Sequence, residues 1–192
     1  YGIHYLDPDQ TYRPLETGRT HAEVLAVAMD RVRADLASRG EGRSVVLAHA
    51  FIAGGLESES ERQISVGGAA QAPIAIFAGV DYLALGHLHR PQQVATGEGQ
   101  PVAHYSGSPL AYSFSEDHDK SVLLVDIPAQ GDITAEQILV PVGRPVVTLT
   151  GTLDEILGEG ADAHRESWVR VHYSDAERVE DAYGRVERVF PY

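Results

Sequence analysis

The first forty residues consist of a short apolar run, a polar segment and one long amphipathic stretch. Residues 1–6 (YGIHYL) are rich in aromatic and branched apolar side chains, which predicts a strand, and positions 7–9 (DPD) end it in a loop. Thr20 and Glu23 form a capping-box pattern, and the apolar positions after them recur at helical spacing. We therefore predict a helix that begins at Thr20 and ends at Gly40.

Two continuous apolar runs farther along the chain each predict a strand covered on both faces. The first is 44–49 (SVVLAH) and the second is 81–86 (DYLALG), with a glycine-rich, acidic loop after the first. Both runs lead into histidine, because His49 ends the first and His87 and His89 follow the second. Buried strands that alternate with helices indicate an α/β fold.

From residue 92 the pattern changes to short strands separated by glycine and proline, which indicates an antiparallel meander. A last unit follows 143–145 (GRP) and has the order strand, helix, strand, helix. The predicted elements are a short helix at 73–80, meander strands at 92–96, 102–106, 121–127 and 133–142, and a final unit with strands at 146–150 and 167–173 and helices at 152–158 and 175–189. We place a domain boundary near residue 143, between a first domain over 1–143 and a second over 144–192.

Composition narrows the function classes. The 192 residues are 43% apolar and carry a formal net charge of −13, so a core can form but no basic surface is available to hold nucleic acid by charge alone. Any chemistry on phosphates would need positive charge from a bound metal. The absence of cysteine excludes thiolate sites and disulfides. No apolar run approaches membrane-spanning length, so we expect a soluble cytoplasmic protein without a membrane association.

Three histidines are candidates for a metal site. His49, His87 and His89 lie at the carboxyl ends of predicted buried strands, where α/β proteins gather functional residues. His87 and His89 are two residues apart, and such residues share a face on extended backbone. Neutral imidazoles suit manganese, iron or zinc. Each histidine could also be a hydrogen-bonded structural residue. The other six are interpreted as structural or solvated: His4, His21, His104, His118, His164 and His172.

The string GHLH at 86–89, with DYLAL before it and SVVLAH upstream, resembles the last two motifs of calcineurin-like metallophosphoesterases. DYLALGHLHRPQ followed by HYSGSPLAYSFSE, together with the opening YGIHYLDPD, is similar to the SbcD family of nuclease subunits. The resemblance implies a partial metallophosphoesterase β-sandwich flanked by helices over 1–143, followed by the start of a truncated α+β (βαβα) capping domain over 144–192.

The resemblance also implies a dinuclear site. His49 and His87 would bind one Mn²⁺ ion and His89 the other in the full-length parent, where a bridging hydroxide attacks a DNA phosphodiester. Such proteins are manganese-dependent exonucleases and hairpin endonucleases that work with an SbcC-like ATPase. Arg90 and Ser108 lie beside the motifs and are candidates for phosphate contacts, or are surface and turn residues.

The sequence departs from the family pattern at its earlier motifs. The D-x-H letters at 162–164 lie in a polar stretch, the G-D letters at 131–132 lie in a predicted hairpin turn, and a chain without asparagine cannot contain a G-N-H motif. We therefore expect the later half of an SbcD-like catalytic domain, with the acid histidine outside this chain. Such a piece would bind one Mn²⁺ ion weakly or none, would be inactive alone, and would self-associate as a homo-oligomer through unpaired strand edges.

Two other functions remain open from the sequence. A small-molecule phosphodiesterase of the same superfamily would share the GHLH motif, although the segment 105–116 and the second domain favour a nuclease. A non-catalytic scaffold or metal-binding module is the alternative from a different class.

Overall fold

The computed structural model describes residues 1–56, 71–141 and 143–192. Most of the glycine-rich, acidic loop predicted after residue 49 lies outside the described residues. No helix in the described ranges is both long and apolar enough to cross a membrane.

The main sheet has five strands and contains both predicted histidine-bearing strands. Its strands are β1 (Gly2–Ile3), β2 (Val45–His49), β3 (Tyr82–Gly86), β4 (Gln92–Gln93) and β5 (Val102–Tyr105). Their order is β1-β2-β3-β5-β4, and every neighbouring pair is parallel except β4 with β5. The predicted antiparallel meander is confirmed for β4 with β5 but is wrong as a continuous meander, because β6 lies in another sheet and β5 pairs in parallel with β3, where Ala103 and Tyr105 pack into the same core.

Two helices precede the central strands. The predicted loop after position 7 is wrong, because α1 (Pro8–Leu15) forms there, with Asp7 as its N-cap accepting from the backbone N–H of Asp9. Proline suits the first helical turn, since its missing N–H needs no partner there. α2 (His21–Arg39) confirms the second prediction, including the capping box of Thr20 and Glu23. One turn of 3₁₀-helix (Ile74–Phe77) replaces the short helix predicted at 73–80.

The core lies on one face of the five-stranded sheet. Leu25 and Met29 of α2 pack in one cluster with Val46 of β2 and Leu83 of β3. The opposite face is open at Leu47, which is 56% exposed, so the prediction that β2 is covered on both faces is wrong. The α/β class is confirmed, but the expected sandwich of two facing sheets is not found among the described strands.

The remaining strands form two small sheets. β6 (Ser121–Asp126) and β7 (Thr134–Leu139) form the predicted antiparallel hairpin. The last unit has the predicted βαβα order, with β8 and β9 parallel. Its elements are β8 (Val146–Gly151), α3 (Leu153–Ile156), a 3₁₀ turn (Ala161–His164), β9 (Trp168–Tyr173) and α4 (Ala182–Val189). A second hydrophobic cluster, centred on Ile156, Ala161 and Phe190, supports this unit. The boundary near residue 143 and the capping-domain interpretation stay predictions.

Candidate metal centre and its buried support

The carboxyl ends of β2 and β3 bring two of the predicted ligands together. His49 ends β2 and is the register partner of Gly86, which ends β3 immediately before His87. The ring centroids of His49 and His87 are 5.4 Å apart, with the planes at 75°. Two imidazoles at this separation on neighbouring parallel strands form a pair of nitrogen donors at one sheet edge.

The backbone at His87 is unusual. Its φ is +114°, in the region that favours glycine and that side-chain-bearing residues rarely adopt. The His87 ring also lies beside the ring of Phe51, at a centroid distance of 5.8 Å. Backbone held in a sparsely populated conformation is typical of functional sites, where surrounding packing offsets its strain.

A buried tyrosine fixes the segment that follows His49. The Tyr105 hydroxyl donates to the carbonyl of Ala50 at 2.7 Å and accepts from the N–H of Ile52 at 2.9 Å. These two hydrogen bonds hold the end of β5 against the backbone segment that follows β2.

The His49 ring is partly desolvated. The Tyr5 ring contacts the His49 ring edge-on at a centroid distance of 5.9 Å. Partial desolvation, with a smaller contribution from His89, lowers the pKa of His49 and favours the neutral ring.

His89 has a different environment from the His49 and His87 pair. Its Nδ1 atom lies 2.9 Å from Oε1 of Glu116, and its ring lies beside Tyr112 at a centroid distance of 5.3 Å. Across the described ranges, no three histidine, aspartate or glutamate side chains form a group that could hold a metal ion. The structure therefore shows two adjacent imidazoles, with a third histidine nearby that is bonded to a carboxylate.

Glu116 ends the SbcD-like segment HYSGSPLAYSFSE and belongs to a buried polar cluster to which the sequence analysis assigned no role. Its Oε2 atom accepts from Nζ of Lys120 at 2.6 Å, and the same ammonium donates to the Ser108 hydroxyl at 3.1 Å. The Glu116 side chain is 0% exposed and that of Lys120 is 9% exposed. Lys120 is the only lysine in the sequence, and its i+4 spacing from Glu116 is the one signal that could have indicated the pair.

The two candidate phosphate contacts have different exposures. The Arg90 side chain is 43% exposed and lies 3.7 Å from the exposed carboxylate of Asp117. Ser108 is buried, and its hydroxyl donates to the carbonyl of Leu110 at 2.7 Å. Its backbone N–H donates to the carbonyl of His89 at 3.0 Å. The structure thus places Ser108 behind His89 and leaves Arg90 accessible to a ligand.

His118 and His164, which the sequence analysis interpreted as structural or solvated, lie outside the pair of His49 and His87. His118 is partly buried, with Nε2 at 3.2 Å from the carbonyl of His89, and its pKa is lowered mainly by burial and next by the charge of Lys120. The D-x-H letters at 162–164 lie in the 3₁₀ turn of the last unit, outside the five-stranded sheet. Neither His118 nor His164 adds a nitrogen donor to the His49 and His87 pair.

The donor chemistry fits a transition metal. Partial burial lowers the pKa of His49, which favours the neutral form that ligates metals. At His89, a carboxylate on Nδ1 is the arrangement that metal-binding histidines commonly have on their second ring nitrogen. Imidazole nitrogens suit manganese, iron and zinc, whereas thiolate-dependent sites are excluded by the absence of cysteine.

Parallel strands with histidines at their carboxyl ends are consistent with a metallophosphoesterase-like fold of the α/β class. Comparison with known proteins gives a more specific relationship. The chain is 38% identical over 148 residues to the SbcD subunit of the SbcCD nuclease from Bacillus subtilis, 35% identical over 147 residues to that from Rhodobacter capsulatus, and 30% identical over 149 residues to that from Escherichia coli K12.

These matches confirm the resemblance to SbcD-type nuclease subunits. They cover 73% of the chain for the first two relatives and 74% for the third. The aligned section corresponds to 37%, 35% and 36% of the relatives' own lengths, so the chain spans a little over a third of the proteins it matches. No family model matches the chain.

Proposed function

We propose that this chain supplies part of the metal-dependent phosphodiesterase site of an SbcD-like nuclease subunit that hydrolyses DNA. The observation that supports this proposal is the pair of imidazoles, His49 and His87, at the ends of neighbouring parallel strands with centroids 5.4 Å apart. The similarity to proteins named as SbcCD nuclease subunits supplies the reaction class.

In the proposed site, His49 and His87 hold one Mn²⁺ ion and His89 contributes to a second, with further ligands from outside this chain. When bound, manganese supplies Lewis-acid stabilisation of phosphate oxygens and lowers the pKa of bound water. Arg90 is accessible and is proposed to contact a phosphate, and the same contact remains a prediction for Ser108. A metal is needed for this chemistry because the net charge of −13 repels a polyanion.

The proposed activity is exonucleolytic and hairpin-endonucleolytic cleavage by the whole protein, in complex with an SbcC-like ATPase. The relatives are named as one subunit of an SbcCD nuclease, which supports such a partner. The chain alone is proposed to bind one Mn²⁺ ion weakly at most and to lack nuclease activity, because the described residues provide no third donor beside His49 and His87.

Homo-oligomerisation of the chain is a separate part of the proposal. The hairpin of β6 and β7 exposes apolar side chains, among them Val122, Leu124 and Ile138, and pairs with no further strand of the described ranges. Exposed apolar strands of this kind favour pairing with another copy. Light scattering at micromolar concentration should give a mass above 20.8 kDa, and a mass of one chain would contradict this part.

Manganese titration tests the metal site. We expect weak binding to the 192-residue chain by calorimetry or by loss of the free-Mn²⁺ paramagnetic resonance signal. Binding should be abolished in His49→Ala and His87→Ala. His172→Ala is the matched control, since His172 is an exposed histidine on β9. Binding that is unchanged in both site variants, or equally weakened in the control, would overturn the proposal.

A non-catalytic module is the second candidate, and the lack of a third donor among the described residues favours it for this chain alone. Metal binding and hydrolysis measured on the unmodified chain distinguish the two functions. Complete absence of manganese binding, in a sample shown to be folded by circular dichroism, supports the non-catalytic module. Hydrolysis of bis(p-nitrophenyl) phosphate by the chain with Mn²⁺ would instead contradict its predicted inactivity.

A further inference from the structure

We infer that Glu116 is a positioning residue that holds His89 in a single tautomer, with the proton on Nδ1 and the lone pair on Nε2. The consequence for metal binding rests on the proposed function, but the tautomer itself does not. His89, Ser108, Glu116 and Lys120 form a buried hydrogen-bonded cluster, and its geometry determines which ring nitrogen carries the proton.

Both oxygens of the Glu116 carboxylate have assigned partners. Oε1 lies 2.9 Å from Nδ1 of His89, and Oε2 lies 2.6 Å from Nζ of Lys120. The Glu116 side chain is fully buried, so water cannot replace either partner without opening the cluster. A buried carboxylate requires compensation by a charge and by hydrogen-bond donors, and these two groups provide both.

The protons of Lys120 determine which atoms in the cluster accept. An ammonium has three N–H donors and no acceptor. Lys120 has two oxygen acceptors within reach, Glu116 Oε2 at 2.6 Å and Ser108 Oγ at 3.1 Å. His118 Nε2 lies 3.3 Å from Nζ but also 3.2 Å from the His89 carbonyl, which can only accept, so it is not counted as an acceptor for Lys120. The single proton of Ser108 can reach the carbonyl of Leu110 at 2.7 Å or Glu116 Oε2 at 3.3 Å, and the shorter distance favours the carbonyl.

The tautomer of His89 follows from this assignment. An ammonium 2.6 Å from Oε2 stabilises the ionised carboxylate, which can only accept hydrogen bonds. Oε1 therefore accepts from His89, and the donating atom is Nδ1–H. In a neutral imidazole the other nitrogen, Nε2, then has the lone pair. A histidine held in this way presents a preorganised donor to a metal ion.

The variant Glu116→Gln tests the inference because an amide has only one oxygen. Lys120 offers only protons, so the amide oxygen should face Lys120 and the amide NH₂ should face His89. Nδ1 of His89 would then have to accept, which moves the ring proton to Nε2. The tautomer should therefore reverse with almost no change in side-chain volume.

The measurement is a long-range ¹H–¹⁵N correlation spectrum of the histidine rings in the 192-residue chain, recorded without metal at about pH 8, above the ordinary range of histidine protonation. His89→Gln identifies the His89 signals by their loss. We expect the Nδ1–H tautomer in the unmodified chain and the Nε2–H tautomer in Glu116→Gln. Asp119→Asn is the matched control, since it removes an exposed acid three residues away and should leave the tautomer unchanged.

A second variant keeps the inference testable if Glu116→Gln does not fold. In Glu116→Gln/Lys120→Met the cation that orients the amide is absent, and Ser108 can donate or accept, so either end of the amide can face His89. The fixed tautomer should therefore be lost, and both ring forms should be populated. A mixture of tautomers in the unmodified chain, or a pure Nδ1–H form that persists in the double variant, would overturn the inference.

Manganese binding separates this inference from the proposed function. The single Mn²⁺ ion proposed for this chain lies on His49 and His87, so Glu116→Gln should weaken its binding by about tenfold, the usual effect of losing an outer partner, only where His89 also ligates that ion. If the unmodified chain binds no Mn²⁺ but the tautomer reverses, the proposed function fails and the positioning role stands. If Mn²⁺ binds and the tautomer does not reverse, the positioning role fails alone.

Discussion

His49 and Gly86 are register partners on β2 and β3, and a Cβ atom at position 86 would lie 3.2 Å from Nδ1 of His49. That distance is tighter than ordinary van der Waals contact, so a side chain at this position must displace the imidazole by a few tenths of an ångström. The absence of a side chain at Gly86 thus leaves room for the His49 ring beside His87.

Gly86→Ala should weaken manganese binding several-fold without unfolding the chain. The displaced His49 ring would no longer share an ion with His87 in the same geometry, and metal binding depends steeply on ligand placement. Calorimetric titration with Mn²⁺ gives the affinity. Gly2→Ala is the control, because a Cβ on this strand residue meets nothing within 4 Å. Equal affinities in the two variants would show that Gly86 has no such role.

The positive φ of His87 gives a prediction about stability. His87→Gly should be more stable than His87→Ala by about 1 kcal/mol. Alanine retains the strain of a side chain at φ +114°, which is about 1–3 kcal/mol. Glycine removes this strain, but the greater conformational freedom of glycine in the unfolded chain offsets part of the stabilisation. Both variants lack the imidazole, so the comparison isolates the backbone. Urea unfolding followed by circular dichroism measures the difference, and a more stable alanine variant would contradict it.

Local signals in the sequence predicted much of the fold. The capping box of Thr20 and Glu23 marks the start of α2, and the apolar runs before His49 and His87 mark β2 and β3. These features depend on neighbouring residues only, so periodicity and capping chemistry are sufficient to find them. The pair of histidines at the sheet edge follows from the placement of these two strands.

Features that depend on distant contacts could not be predicted in the same way. The parallel pairing of β5 with β3 is a choice of partner that a short run between Pro101 and Gly107 does not specify. The bond from Glu116 to His89 joins residues 27 positions apart and forms only after the chain folds. The start of α1 was missed for a local reason. Asp7 and Pro8 are residues that end a strand, but they also provide an N-cap and a first helical position.

Partly buried His104 predicts a pH dependence of stability. Burial lowers the pKa of this residue in the folded chain, and its Nδ1 atom is buried without a hydrogen-bond partner in the described structure. As pH falls below the unfolded-state value of about 6.5, the unfolded chain takes up a proton that the folded chain binds less readily. Stability contributed by the neutral ring is therefore present above that pH and is lost as pH falls further.

The comparison that tests this effect is between the unmodified chain and His104→Phe. Phenylalanine keeps an aromatic ring beside Tyr82, whose ring lies 5.8 Å from that of His104, but it cannot be protonated. The free energy of unfolding should decrease less between about pH 7 and 5 in the variant, as measured by urea denaturation. Contributions from other titrating groups are common to both chains. A parallel decrease in the two would exclude His104 as a source.

Gly107 supports the His89 segment by allowing a close approach. Its φ is +79°, and a Cβ there would lie 2.7 Å from Cδ of Pro91 and 2.8 Å from the carbonyl oxygen of His89. Gly107→Ala should therefore be destabilising through both an unfavourable backbone conformation and a steric clash. Gly99→Ala provides the matched control, because Gly99 has a similar φ of +75° and open space around its Cβ position.

We expect Gly99→Ala to cost about 1 kcal/mol of unfolding free energy, from the backbone alone, and Gly107→Ala to cost roughly 2 kcal/mol more from overpacking. Urea denaturation gives both values. The clash also forces the His89 carbonyl away from position 107, so the tautomer signal of His89 should change in Gly107→Ala but not in Gly99→Ala. Equal destabilisation by the two substitutions would mean that the Pro91 ring and the His89 carbonyl move away at little cost. The close approach at Gly107 would then have no part in holding His89 against Glu116.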